Sequence, residues 1–415
     1  MSEQRGDSTP DSVGSAEADR LAAAYLSRVA EPASVPLWMF VNQHGYQAAA
    51  AAVRAGDVPP AVAACTEARR KSADPFADLA AAERNGIRLL SPADDEWPHF
   101  AFAALAATAE RRVAQWCAGQ HARPGRGELI PPLALWVRGA GSLRSVGVQA
   151  IAVVGSRAAT GYGEQIAADF CYHLARRGVV VVSGGAYGID AAAHRGVLAA
   201  DGVSVLVSAA GVDRPYPSGN RALYERTVER GLVISERPPG SAPHRQRFLS
   251  RNRIIAALGT ATLVVQAGAR SGALNTAGYA RDLGRPVLAV PGPISSAMSV
   301  GCHRLLQRPD EPAHLVTSVE EVLSFCGGVT SGGTGTATTS AKAGPVSAGY
   351  EALDLVARSV LDGFPARGVV TEANLARLSG QPIQQVIGAL PALLALGLVT
   401  VSREGYRLAR SSVAS

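Results

Sequence analysis

At 415 residues, 47% of them hydrophobic, the chain is too long for one small core, and two or three domains are expected. No apolar run approaches the ~20 residues of a membrane span, and the polar start MSEQRGDSTPDSVGSAEADR lacks the apolar core of a signal peptide. A cytoplasmic protein with no membrane partner is therefore expected, and its net charge of +6 points only weakly to a polyanionic one.

Nearly all the positive charge is arginine, since Lys71 and Lys342 are the only lysines. Arginine's planar fork suits phosphates and stacks on bases; a genome-wide composition bias gives the same ratio. Cys65, Cys117, Cys171, Cys302 and Cys326 lie far apart, without CxxC or Cys/His metal spacing. Buried neutral thiols are expected, with no metal and no cofactor.

In chain order, residues 1–16 read as a disordered tail. Residues 17–88 are Ala-rich and helical in pattern, broken at Pro32, Pro36, Gly45, Gly56 and Pro59-Pro60, which gives a small bundle of short helices. Asn42-Gln43-His44-Gly45 is either a helix terminus or a turn touching a DNA backbone. Residues 89–130 connect, through an acidic loop at Asp94–Pro98, a helix from Phe100 to Trp116 and a loop from His121 to Glu128.

Residues 131–326 alternate short β-branched runs with helical stretches. Leu133–Val137 reads as an edge strand. Ile151–Val154, Val179–Val182, Val203–Ser208, Leu232–Ser235, Thr262–Gln266 and Pro286–Val290 read as strands covered on both faces. Helices are expected at Gly163–Arg177, from a cap at Asn220 to Arg230, and from a cap at Asn275 to Leu283. The fold class is α/β, a doubly wound and mainly parallel sheet.

Residues 327–347 hold almost no large apolar side chain and read as a flexible linker. Residues 348–415 then regain helical periodicity. A helix opens at Thr371-Glu372, a second runs from Ile383 to Leu396 with a kink at Pro391, and a hairpin closes around Glu404-Gly405. Helix-turn-helix followed by a hairpin is the winged-helix pattern.

Chemistry-bearing residues gather where strands end. Gly155-Ser156-Arg157 and Ser183-Gly184-Gly185 each follow a strand, where doubly wound sheets bind their ligands. Their spacing is neither GxGxxG nor GxxxxGK[ST]. They are either tight strand-to-helix turns or backbone phosphate cradles. Arg237, Arg245, Arg247, Arg251 and Arg253 carry five positive charges around Phe248, a pattern suited to a single strand, whose bases stack on rings while guanidinium groups track phosphates. A plain solvated face is the alternative, and it predicts mixed charge. Arg270-Ser271-Gly272-Ala273 either adds donors to that groove or is a turn. Asp190 and His194 share a helix face, as a catalytic pair or as a cap and a satisfied histidine. No GxSxG or HExxH occurs, and no catalytic residue is assigned.

At these residues the chain resembles the DNA-processing protein A family (DprA, also called Smf). The resemblance is dense from Ile151 to Leu306. It runs through Gly155-Ser156-Arg157, Ser183–Asp190, His194, Tyr216-Pro217 with Asn220, Ile234-Ser235-Glu236, Phe248–Ile255, Ser271-Gly272, Thr276-Ala277, Gly284–Val287 and Val290-Pro291-Gly292. The helical N-terminal region and the winged helix match the family's layout, a SAM-like domain and a winged-helix domain flanking an extended Rossmann fold.

The resemblance implies a homodimer that binds single-stranded DNA without turnover and loads the RecA recombinase during natural transformation. It implies a DNA site at Gly155, Ser156, Arg157, Ser183, Gly184, Gly185, Arg247, Phe248, Arg251, Asn252, Arg253, Ser271 and Gly272. In that site Arg157, Arg251 and Arg253 contact phosphates, Phe248 stacks a base, and amides of the two Gly turns receive phosphate oxygens. The chain departs from the family at Trp97-Pro98 in place of Tyr-Pro, in a long Ala106–Ile130 segment, at Gly301-Cys302-His303 in place of Gly-Thr-Asn, and at Ser218 where relatives have Lys. A different class of function stands beside this one: a nucleotide-binding or nucleotide-cleaving enzyme with Asp190 or Glu236 as its acid or base, which leaves the arginine run unexplained.

Overall fold

A computed structural model describes residues 10–117, 129–146 and 149–326 and, further on, residues 357, 360–361, 363–365, 369–379, 381–395, 398–402 and 405–408. The expected linker at 327–347 and loop at 121–128 lie outside the described residues. The chain divides into two compact units, Met1–Thr330 and Ser331–Ser415.

The first unit is built on nine strands: β1 (Ile87–Leu90), β2 (Leu135–Arg138), β3 (Ala150–Val154), β4 (Val180–Ser183), β5 (Ser204–Val207), β6 (Leu232–Ser235), β7 (Ala261–Val264), β8 (Val287–Ala289) and β9 (His314–Leu315). Their order is β1-β2-β6-β5-β4-β3-β7-β8-β9. Every pairing from β6 to β9 is parallel, whereas β1–β2 and β2–β6 are antiparallel. This is the expected Rossmann-like, doubly wound sheet, with one difference. The strand near Leu133–Val137 is not the edge, because β1 lies outside it. Sequence reading missed β1 because Arg88 interrupts its short apolar run. Arg88 pairs with Glu96 at 2.7 Å and donates to the carbonyls of Gly139 and Gly141 at 2.9 and 2.6 Å, so polar contacts finish this edge.

Side chains of β3 alternate between two cores, as a strand's period of two requires. Ala150, Ala152 and Val154 face a core shared with α6 (His99–Cys117), α10 (Arg245–Leu258) and α11 (Ala273–Asp282). Ile151 and Val153 face the other, with Phe170 and Leu174 of α7 (Gly161–Arg176) and Ile189 and Val197 of α8 (Ile189–Ala199). Helix α7 stops as its sequence predicts: Gly178 takes φ +76° and Val179 N–H returns to Leu174 O at 3.1 Å.

Five helices precede β1: α1 (Pro10–Val29), α2 (Val35–His44), α3 (Tyr46–Ala55), α4 (Pro60–Arg70) and α5 (Pro75–Arg84). Helix α1 begins at Pro10, inside the stretch whose composition reads as a tail. Its Tyr25, Leu26 and Val29 pack on α2, α3 and α4. Its Ala23 and Ala24 lie with Ala82 of α5 against Trp136, Leu206 and Val233 of the sheet. The helical bundle thus covers the β5–β6–β2–β1 half.

The second unit holds helices Glu372–Ser379 and Ile383–Ala395 and an antiparallel hairpin, Val399–Ser402 with Gly405–Leu408. Leu375, Val386, Leu390, Leu393 and Val399 form its core. Helix, helix, hairpin is the order expected, and the second helix runs through Pro391 to Ala395.

Candidate nucleic-acid interface

From β3 the chain steps outward through β4 and β5 to β6, then crosses through α10 to β7 on the other side of β3. A crevice opens where the winding reverses. It holds a cavity of about 270 Å³ lined by Gly155 and Arg157 after β3, Asp190 of α8, Phe248 and Arg251 of α10, and Ser271 before α11. Asn252 and Gly272 also line it. The structure therefore brings together seven of the thirteen expected site residues.

The turn after β3 is fixed by its neighbours. Ser156 N–H donates to Gln266 O at 2.7 Å, Ser156 O accepts from Ile189 N–H at 3.2 Å, and the Ser156 hydroxyl lies 3.6 Å from Met298 Sδ. Ser156 is buried as a result. Gln266 also binds the first turn of α7, accepting from Thr160 N–H at 2.9 Å and donating to Thr160 Oγ1 at 2.9 Å. Gly188, at φ +73°, lets the next turn approach: a Cβ there would stand 2.3 Å from Ser156 O and 2.7 Å from Arg157 O.

The turn after β4 is filled from within. Ser183 is fully buried and its hydroxyl donates to Val153 O at 2.6 Å. The Asp190 side chain accepts from the backbone N–H of Ala186 at 3.4 Å. The Ser183 hydroxyl and the Ala186 amide are thus engaged inside the turn. Burial raises the Asp190 pKa, and the Arg251 guanidinium pulls it back. Arg251 lies across Gly184, whose Cβ would meet its Nη1 at 2.5 Å, and donates to Gly184 O at 2.8 Å and to Val207 O. Burial lowers its pKa to about 10, against the opposing effect of Asp190, and it stays charged at neutral pH.

The arginine run is not one open face. Arg253 is 0% exposed: it forks onto Glu236 with two bonds of 2.6 Å and donates to Ile130 O and Ser250 O at 2.9 and 3.0 Å. Arg247 pairs with Glu31 at 2.7 and 2.8 Å and donates to Ala242 O at 2.6 Å. Arg237 caps the end of α1, donating to Ser27 O and Ala30 O at 3.0 and 2.7 Å. Of the four arginines expected in the site, Arg157 is exposed, Arg251 is buried on the Gly184 and Val207 carbonyls, and Arg247 and Arg253 are spent in ion pairs inside the protein. Neither lines the cavity. Asn252 is buried on the floor, donating to Asn275 Oδ1 at 3.3 Å. Asn275 is a helix residue rather than the expected cap.

At the cavity mouth Arg157 is exposed, its Cζ 5.2 Å from the Phe248 ring centroid. The Tyr216 ring, also exposed, lies 5.4 Å from Phe248 at 48°. Arg157 takes part in no ion pair among the described residues. Asn220, expected to cap a helix, makes no capping bond; its Nδ2 donates to Gly185 O and Ala186 O at 3.1 and 3.2 Å and fixes the β4 turn. His194 is fully buried, its Nδ1 2.6 Å from Ser204 Oγ, and burial lowers its pKa to about 3. Its Nε2 is buried without a hydrogen-bond partner, so the ring is a core histidine satisfied on one side only, and no bond to Asp190 is formed. Among the described residues no cluster of His, Cys, Asp and Glu is arranged to hold a metal, and no helix is long and apolar enough to cross a membrane.

A Rossmann-like sheet with Arg157, Arg251 and Phe248 around a cavity at its switch point belongs to the doubly wound α/β proteins, which hold their ligands at that point. Comparison with known proteins narrows the class. A family model for DNA recombination-mediator protein A matches residues 128–327. The putative DNA processing protein DprA of Mycobacterium tuberculosis is 44% identical over 391 residues, 94% of each chain. Protein Smf of Escherichia coli is 40% identical over 213 residues, 49% of this chain and 56% of its own length. The X-ray structure of DNA processing protein A from Streptococcus pneumoniae superposes with a TM-score of 0.56 and 28% identity, covering 74% of this chain and 97% of that one. The chain belongs to the DNA processing protein A family, the recombination mediators also called DprA or Smf.

Proposed function

We propose that this protein binds single-stranded DNA at the switch-point cavity, without turning it over, and hands the strand to the RecA recombinase during DNA uptake. The observation that carries the reading is the Phe248 ring held between an exposed guanidinium and an exposed tyrosine at the cavity mouth. Aromatic faces stack any base, and guanidinium groups follow the backbone, so binding is indifferent to sequence and weakened by salt. Arg157 and the turn at Ser271-Gly272 contact phosphate, Phe248 stacks, and Arg251 with Asn252 supports the floor. The protein works in the cytoplasm as a homodimer.

The rival enzyme reading loses its two acids to structural work, since Asp190 serves the β4 turn and Glu236 is locked to Arg253. Fluorescence anisotropy of labelled single-stranded and duplex oligonucleotides with the full-length protein tests the binding. Preference for the single strand, lost in Phe248→Ala with Arg157→Ala, is expected; equal affinity of the double variant rejects the site. RecA-dependent ATP hydrolysis on DNA coated with a single-strand-binding protein tests the hand-over, and light scattering tests the homodimer.

A further inference from the structure

Two exposed tyrosines and a half-buried phenylalanine lie on neighbouring segments at the carboxyl edge of the sheet. Phe248 comes from α10 and Tyr216 from the loop after β5, with ring centroids 5.4 Å apart. Tyr187 comes from the turn after β4. Its phenol end stands over Gly219, three residues beyond Tyr216, where a Cβ would lie 2.6 Å from the hydroxyl oxygen. Tyr187 and Tyr216 are 48% and 45% exposed, although the backbone beneath them is tied. Asn220 fastens the two loops together through Gly185 O and Ala186 O. A large ring left in water on a fixed backbone gains little for folding and is set up to meet a partner.

Charge accompanies these rings. Arg214, two residues before Tyr216, is exposed and enters no ion pair among the described residues. Its neighbour Asp213 is turned away and accepts from Gly240 N–H at 2.9 Å. The opposite flank of the cavity differs. There Tyr162 is exposed too, but its hydroxyl donates to Pro291 O at 2.8 Å, and its ring belongs to a separate loop pair.

The geometry points to a strand that leaves the cavity over the β5 and β4 loops, stacking successive bases on Phe248, Tyr216 and Tyr187, with Arg214 on its backbone. This rests on the single-strand reading above and adds a direction and two residues to it. About three stacked bases are expected outside or at the mouth, one per ring.

Oligonucleotide length separates the two ideas. Full-length protein is titrated with oligothymidylates of four and of twelve nucleotides. Tyr187→Ala with Arg214→Ala should weaken the twelve-mer about tenfold and leave the four-mer, held at the cavity, nearly unchanged. Tyr187→Phe keeps the ring and should restore the long-oligonucleotide affinity when Arg214 is present. Tyr162→Ala, on the other flank, should change neither. A photocrosslink from 5-iododeoxyuridine in the twelve-mer should map to Tyr187 or Tyr216. If Arg157→Ala weakens both lengths while the Tyr187/Arg214 variant weakens neither, or if crosslinks fall only on the Tyr162 side, the path is overturned and the cavity reading survives. If Arg157→Ala also has no effect, the cavity reading itself has failed.

Discussion

Arg253→Ala separates structure from binding most sharply. Sequence places this residue among the phosphate contacts, yet its guanidinium is 0% exposed and bonded to both oxygens of Glu236. Removing one partner of a buried, forked ion pair leaves the other charge without compensation, at a cost of about 3–5 kcal/mol. Two carbonyls, Ile130 O and Ser250 O, lose their donor as well. Against a total stability of about 5–15 kcal/mol this is a large fraction. All four tryptophans, Trp38, Trp97, Trp116 and Trp136, precede β3, so tryptophan fluorescence in urea follows the first unit alone. The midpoint of Arg253→Ala should fall steeply. Arg253→Met with Glu236→Leu, which removes both charges and keeps volume, should recover much of the loss, and the cycle should be strongly non-additive. An Arg253→Ala protein with an unchanged urea midpoint and a lost affinity for single strands would show that this side chain turns outward, and the assignment of the arginine run would have to be reversed.

Arg157→Ala should leave the urea midpoint unchanged, since the side chain is exposed and unpaired, and should lower the slope of log affinity against log salt by about one phosphate. His194 gives a pH signature: the folded ring stays neutral to about pH 3, whereas the unfolded ring takes a proton below 6.5. Stability is therefore lost as pH falls from 6.5, by about 2 kcal/mol at pH 5, and His194→Gln should flatten the loss between pH 7 and 5 in paired urea titrations. Glu31 acts at lower pH. Burial alone would raise its pKa, but Arg247, Arg237 and Arg69 hold it at about 2, below its ordinary 4.5. Its contribution is present above pH 4.5 and lost as pH falls towards 2. With the carboxylate 46% exposed it amounts to only on the order of 1 kcal/mol, and Glu31→Gln should show a shallower decline in that window. Gly188→Ala combines a positive φ with a clash against the Ser156 and Arg157 carbonyls. It should cost more than about 1 kcal/mol and weaken single-strand binding by moving Arg157, readable as a lower urea midpoint together with a weaker anisotropy isotherm.

The sheet was legible because its strands are β-branched runs ended by glycine, and β3 keeps its period of two in the packed protein. Strand β1 was not, because four residues carrying an arginine make no apolar run. The cavity was half legible. Gly155, Arg157, Phe248 and Ser271 meet as expected, since strand ends on one side of a doubly wound sheet must converge. What the sequence hides is the direction of each arginine along α10. A helix turns 100° per residue, so Arg253 points away from the arc that Arg247, Phe248 and Arg251 share. The acid that claims Arg247 is Glu31, 216 positions upstream. Counting acids within the run misses a partner delivered by the fold.

The β4 turn is built from inside the protein. In many phosphate-binding turns the amides are left for the ligand. Here Asp190 takes the Ala186 amide, and Arg251 holds the Gly184 and Val207 carbonyls. The turn is rigid before any ligand arrives, so little ordering remains to be done on binding. The cost is that the Ala186 amide is no longer free for phosphate. On the proposed reading, affinity comes from side chains outside the turn: the exposed Arg157 and the rings of Phe248 and Tyr216. On that reading the surface holds a flexible strand by stacking and by charge, not by a cage fitted to one phosphate. A cage would favour a single mononucleotide, whereas a row of platforms favours a chain, and the second is what a mediator that passes DNA onward requires.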